Sequence, residues 1–199
     1  MASYLSKAVF FIAAWSTFIG VLSAEGFFSD FMAIPPRIGM AMIVPFPFII
    51  LLSFSRSFST ILKVTPVSWL VAFQSFRIFV EILLLICVIK KLLPVQMSFE
   101  GYNFDILSGL FAIPVAKYLA KHPASNAVLV YNIVGLLLLA NIVVIAMLSA
   151  PTPFRYFMNE PANTLVARFP FIYIPGVLVV AAYSFHIFSL RQYWLLRKA

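Results

Sequence analysis

This chain is poor in acid, poor in charge of either sign and nearly free of thiols. Its 199 residues hold 6 Asp and Glu against 14 Lys and Arg, and charged residues make up 10% of the total, whereas soluble domains usually carry about 25%. That scarcity excludes an ordinary water-facing surface. Cys87 is the single cysteine, so an intrachain disulfide and a multi-cysteine metal site are both excluded. The two histidines, His122 and His186, stand on separate segments with no spacing signature for metal or haem. There is no Gly-rich phosphate loop, no His-Glu-x-x-His, no Gly-x-Ser-x-Gly and no potassium-filter motif. We therefore read no metal and no cofactor from the sequence. Internal repeats and low-complexity tracts are also missing, which removes the sequence argument for an inverted-repeat transporter.

What the chain has is apolar length. Hydrophobic residues make up 63% of it and the mean hydropathy is +1.05, spread over several runs, as in a polytopic protein. The expected fold is an all-α transmembrane helix bundle forming one domain over residues 1–199. Six segments approach the roughly 20 residues a span requires: Ala8 to Ala24, Ile38 to Phe54, Ser68 to Ile89, Phe104 to Leu119, Ala127 to Ala150 and Phe169 to Leu190. Lys7 and the run after it have the form of a signal peptide, but Leu22 suits cleavage after Ala24 poorly, which predicts an uncleaved first helix. Pro45 and Pro47 should interrupt the second segment. The fourth contains Ser108, Gly109 and Pro114 and covers only about 18 Å of helix between Asp105 and Lys117, so a re-entrant segment competes with a full span there.

Basic residues set the expected orientation. With the N-terminus inside, Lys7, Arg56, Lys63, Lys117, Lys121, Arg191, Arg197 and Lys198 are cytoplasmic. Arg37, Lys90, Lys91, Arg155 and Arg168 lie opposite, with every acid except Glu81. Both termini are thus predicted cytoplasmic in a multi-pass protein. The formal charge of +8 sits at the ends of apolar runs rather than in a stripe, which points to anionic lipid headgroups at the cytoplasmic face and away from nucleic acid.

Gln74, Arg77 and Glu81 are the most informative residues. At about 100° per residue, Gln74 and Glu81 fall about 60° and 40° to either side of Arg77, so the three share one helix face. That face should avoid lipid, because a charge at the bilayer centre costs about 2.5 to 3.5 kcal/mol. Pairing of Arg77 with Glu81 is the expected compensation, serving either helix packing or a ligand site. Asn141 is the expected partner from the fifth span. Asn132, nine residues earlier, faces the opposite side of the same helix. Tyr183 and His186 offer polar groups from the sixth span. Asn103, Asp105, Arg155 and Glu160 form a second candidate cluster at the outer loops, competing with a reading in which Asp105 and Asn163 merely cap helices.

The string Gln74-Ser-Phe-Arg77 with Glu81, the stretch Pro94 to Leu107, Leu148 to Arg155, Glu160-Pro-Ala-Asn-Thr164 and the tail Ser189-Leu-Arg-Gln192 together resemble a family of small bacterial multi-spanning membrane proteins known only as hypothetical. The resemblance covers about the last two-thirds of the chain. It implies a bacterial cytoplasmic membrane and carries no activity. Three function classes remain open at this level. They are binding or transport of a small molecule or lipid around Arg77 and Glu81, a membrane enzyme using the outer loops, and a structural component without ligand. A cavity at the Arg77 group favours the first, a cluster of Asn103, Asp105, Arg155 and Glu160 the second, and neither the third.

Overall fold

Long apolar stretches interrupted by proline give helices throughout. A computed structural model describes residues 2–197, with side chains described from Ser6 onward. Lys198, counted above with the cytoplasmic cations, lies outside the described residues. The helices are α1 (Ala2–Ala24), α2 (Arg37–Ile43), α3 (Pro45–Phe54), α4 (Arg56–Val64), α5 (Val67–Phe73), α6 (Phe76–Ile89), α7 (Ile106–Lys121), α8 (Ala127–Ser149) and α9 (Val180–Arg197), the last preceded by a π turn over Ile174–Val179. Among the described residues there is no strand. Among the described residues, five stretches are long and apolar enough to cross a membrane: Ser6–Ala24, Arg37–Phe54, Val67–Ile89, Ala127–Ser149 and Ile174–Arg197.

Local chemistry explains the breaks. After α1 the chain turns at Gly26, whose φ of 74° is left-handed and suits glycine. Pro45 opens α3 as its first residue, where the missing N–H costs nothing, so α2 and α3 continue each other across Val44. Between α5 and α6 the backbone tightens, with the Gln74 amide donating to Val71 O at 3.0 Å and the Arg77 amide to Gln74 O at 3.1 Å. These three-residue steps are 3₁₀ geometry, and Arg77 follows them directly.

Helix α4 was not expected from the sequence, which reads as a connection there. Ser55 caps it by accepting from the Phe58 amide at 3.2 Å, and Leu62 is buried while Arg56 and Lys63 stay exposed. Gln192 of α9 donates to Leu62 O and Thr65 O, fastening α4 to the last helix.

The fourth segment takes an unusual course. Helix α7 has 16 residues, about 24 Å at 1.5 Å per residue, and it starts at the depth of Arg77. At its other end Leu119 shares a cluster with Val67, Val128 and Tyr193, the beginnings of α5 and α8 and the end of α9. Before α7 the chain from Pro94 to Asp105 is non-helical apart from a 3₁₀ turn at Val95–Met97. It is buried on one side: Gln96, Met97, Ser98, Asn103 and Asp105 face the interior, while Val95, Phe99, Glu100, Tyr102 and Phe104 are exposed. The fourth expected span is therefore part irregular chain and part helix, and it is not among the five stretches long and apolar enough to cross a membrane.

Candidate functional site

Four elements deliver polar groups to the middle of the bundle. From α6 comes Arg77, 2% exposed. Its Nε donates to Asp105 Oδ2 at 2.7 Å and its Nη2 to Asp105 Oδ1, a fork-to-fork pair. Nη1 lies 2.9 Å from His186 Nε2, and Nη2 reaches the Gly135 carbonyl at 3.4 Å. Guanidinium is donor-only, so His186 Nε2 must accept and Nδ1 carries the imidazole proton. The Nδ1–H then donates to Asn132 Oδ1 at 2.8 Å. Asn132 Nδ2 donates onward to Ser189 Oγ at 2.9 Å and to Val128 O at 2.7 Å. A chain of directed hydrogen bonds thus runs from α9 through α8 and α9 again to α6 and the start of α7.

Glycine makes the centre of this chain possible. A Cβ on Gly135 would stand 2.7 Å from His186 Nε2, so only a bare backbone lets the imidazole lie across α8. Gly109 does the same for α7, where a Cβ would meet Ile78 N at 2.9 Å, and this close approach brings Asp105 to Arg77.

The expected Arg77–Glu81 ion pair is replaced by Arg77–Asp105. The two residues on α6 do share the interior, both being nearly fully buried, but the irregular chain before α7 supplies a better-placed carboxylate from across the interface. Glu81 instead accepts from Asn103, whose Nδ2 stands 2.7 Å from each carboxylate oxygen and 3.0 Å from Met97 O. Asn103 Oδ1 accepts from the Asp105 amide at 3.0 Å, which locks both acids to one loop. Asp105 makes no side-chain cap for α7; its carboxylate is committed to Arg77.

Other expectations are redistributed. Gln74 is fully buried and donates to Ala182 O at 2.9 Å, away from Arg77. Asn141, the expected partner, donates to Tyr102 O at 2.8 Å, and Asn132 takes its place because that side of α8 faces α9. Tyr183 donates to Met42 O at 3.1 Å. The expected cluster at the loops divides in two: Asn103 and Asp105 join the buried group, while Arg155 pairs with Glu160 at 2.9 Å near the surface. There the hydrogen bond from Arg155 and the Ala162 amide hold the Glu160 carboxyl below the usual carboxylate range.

Beside this group lies a partly open cavity of about 90 Å³ between α2, α6, α8, the 150–168 loop and the π turn. Glu81 and Asp105 line it, with Thr152 and Asn163 as the other polar side chains and aliphatic residues such as Leu84, Leu139 and Ala146 around them. Asn163 is 1% exposed. Its Nδ2 donates to Ala146 O at 3.0 Å, and its Oδ1 has no partner among the described residues. Pro175 of the π turn also lines the cavity. This turn is held to α1 by Trp15 Nε1, which donates to Gly176 O at 2.8 Å. Sequence reasoning passed over Gly135 and Thr152, and it read Asn163 as a helix cap, whereas its side chain donates to Ala146 O and faces the cavity. The stripe Val128, Asn132, Gly135 and Leu139 at helical spacing was the available signal for Gly135, and nothing local marked Thr152 or the role of Asn163 in the cavity.

No curated protein and no solved structure matches this chain. Residues 35–195 match the family described as Domain of unknown function (DUF8737), and the chain belongs to that family.

Proposed function

We propose that this protein is a multi-pass protein of the bacterial cytoplasmic membrane that binds a small molecule or lipid in the cavity beside Glu81 and Asp105. In this reading the chain crosses six times, the fourth by way of the irregular Pro94 to Asp105 stretch and α7, and both termini face a cytoplasmic surface of anionic headgroups. The observation that carries the reading is the cavity itself. It reaches two buried carboxylates through aliphatic walls, the combination of apolar body and few convergent polar groups that marks ligand sites. A purely structural ion pair needs no such space. An enzyme of the outer loops is disfavoured because Arg155 pairs with Glu160 while Asp105 is held by Arg77, so the four side chains do not form one cluster.

The test is native mass spectrometry of gently extracted protein, run beside Ala146→Phe, which fills the cavity from its wall. A bound mass on the wild type that disappears in the variant supports the reading. A bound mass unchanged by Ala146→Phe, or protein that carries nothing and is stabilised by no membrane-soluble compound, refutes it.

A further inference from the structure

The chemistry of the cavity wall selects among ligands. Glu81 and Asp105 present carboxylate oxygens, each oxygen able to accept about two hydrogen bonds. Asn103 has two amide hydrogens to share among Glu81 Oε1, Glu81 Oε2 and Met97 O, so Glu81 retains acceptor capacity. Both of its oxygens stand at 2.7 Å from the one Asn103 nitrogen, which leaves their remaining lone pairs free to accept. Asn163 Oδ1 is a third acceptor, buried and unpartnered. Donors are nearly missing from the same wall: Pro36 and Pro175 have no N–H, Asn163 Nδ2 is spent on Ala146 O, and the Thr152 hydroxyl is the remaining side-chain donor.

Charge points the same way. Arg77 is matched by Asp105, and His186 is neutral by the logic of its two partners. Glu81 is thus the second carboxyl beside a single guanidinium, and no Lys or Arg side chain lines the cavity among the described residues. A carboxyl buried in this way stays ionised only where a counter-charge arrives and otherwise keeps its proton, so a cation entering the cavity gains a charged partner there.

We infer that the ligand of this cavity presents an ammonium head to Glu81 and Asn163 on a short apolar body that lies against Leu84, Leu139 and Ala146. An ammonium is donor-only and positive, complementary to an acceptor-rich wall holding a second carboxyl beside a single guanidinium. A volume of about 90 Å³ is smaller than the roughly 150 Å³ cavity that encloses benzene, so the head and its first few carbons fit inside and a longer chain continues through the opening. This assignment rests on the binding reading above and adds the class of ligand to it.

The experiment compares hexylammonium, hexanol and hexanoate as probes, following the thermal stability of the detergent-solubilised protein at increasing probe concentration. Wild type is expected to respond to hexylammonium at a concentration at least about tenfold lower than to hexanol, with hexanoate inactive. Glu81→Gln should erase that preference while keeping the hexanol response, and Ala146→Phe should abolish both responses. Should Glu81→Gln fail to fold, Asn163→Leu takes its place, with a severalfold weaker hexylammonium response expected. Hexanol or hexanoate acting as strongly as hexylammonium on wild type would overturn the ammonium head and leave the binding cavity standing. A hexylammonium preference that persists in Glu81→Gln and Asn163→Leu would do the same. Responses indifferent to Ala146→Phe, or absent for all three probes, would overturn the cavity and the head together.

Discussion

Replacing Asp105 by Asn tests the central pair, because it keeps the shape of the side chain and removes its charge. In the folded protein Asp105 takes two of the five donors of Arg77 in a fork, with Nε at 2.7 Å, and both side chains are almost sealed from solvent. Asp105→Asn would turn an amide N–H toward one arm of the guanidinium and leave its charge without compensation. Breaking one side of a buried pair costs about 3–5 kcal/mol, a large share of the roughly 5–15 kcal/mol that holds a typical domain. Glu81→Gln is the internal control. Glu81 has Asn103 and not Arg77 as its hydrogen-bond partner; an amide oxygen still accepts from Asn103, and removing a buried charge offsets the weakened hydrogen bond, so the midpoint should shift by less than the equivalent of about 1 kcal/mol in either direction. The assay is thermal or denaturant-induced unfolding in one mild detergent, with wild type, Asp105→Asn, Glu81→Gln and the double variant Arg77→Met/Asp105→Leu side by side. The double variant removes both charges and should be more stable than Asp105→Asn alone. If Glu81→Gln destabilises as much as Asp105→Asn, or if the double variant is the worst of the set, Arg77 is not neutralised by Asp105 and the reasoning fails.

The remaining predictions concern α8. Gly135→Ala should displace the His186 ring from Arg77 and Asn132 and cost about 1–3 kcal/mol, read by the same unfolding assay; an unchanged midpoint would mean that the imidazole does not lie across this backbone. Asn132→Leu should strand the His186 Nδ1–H at about 1–3 kcal/mol, whereas Asn141→Leu, which removes only a contact to Tyr102 O, should cost clearly less. The opposite ranking would return Asn141 to the interior.

The apolar runs by themselves determined that this chain is all-helical with helices fit for a membrane, since 63% hydrophobic content in runs of such length allows few other ways to satisfy the backbone. They also marked Gln74, Arg77 and Glu81 as interior, because a charged face has nowhere else to go. Proline positions foretold the interruption at Val44, and the weakness of Phe104 to Leu119 as a span matches a segment that is irregular up to Asp105 and helical after it. Which groups neutralise which was decided only by tertiary structure. Helical spacing ranked Glu81 as the partner of Arg77 because it sees neighbours on one helix and not the loop opposite. Asp105 lies 28 residues away in sequence, and its approach depends on Gly109 closing α7 onto Ile78. The choice of Asn132 over Asn141 was likewise set by which side of α8 meets α9, a rotation that polar spacing on a single helix leaves open. The cavity belongs wholly to the tertiary level: its polar wall joins α6, the start of α7 and the 150–168 loop, and no local pattern says that Asn163 will be buried with its carbonyl oxygen unpaired.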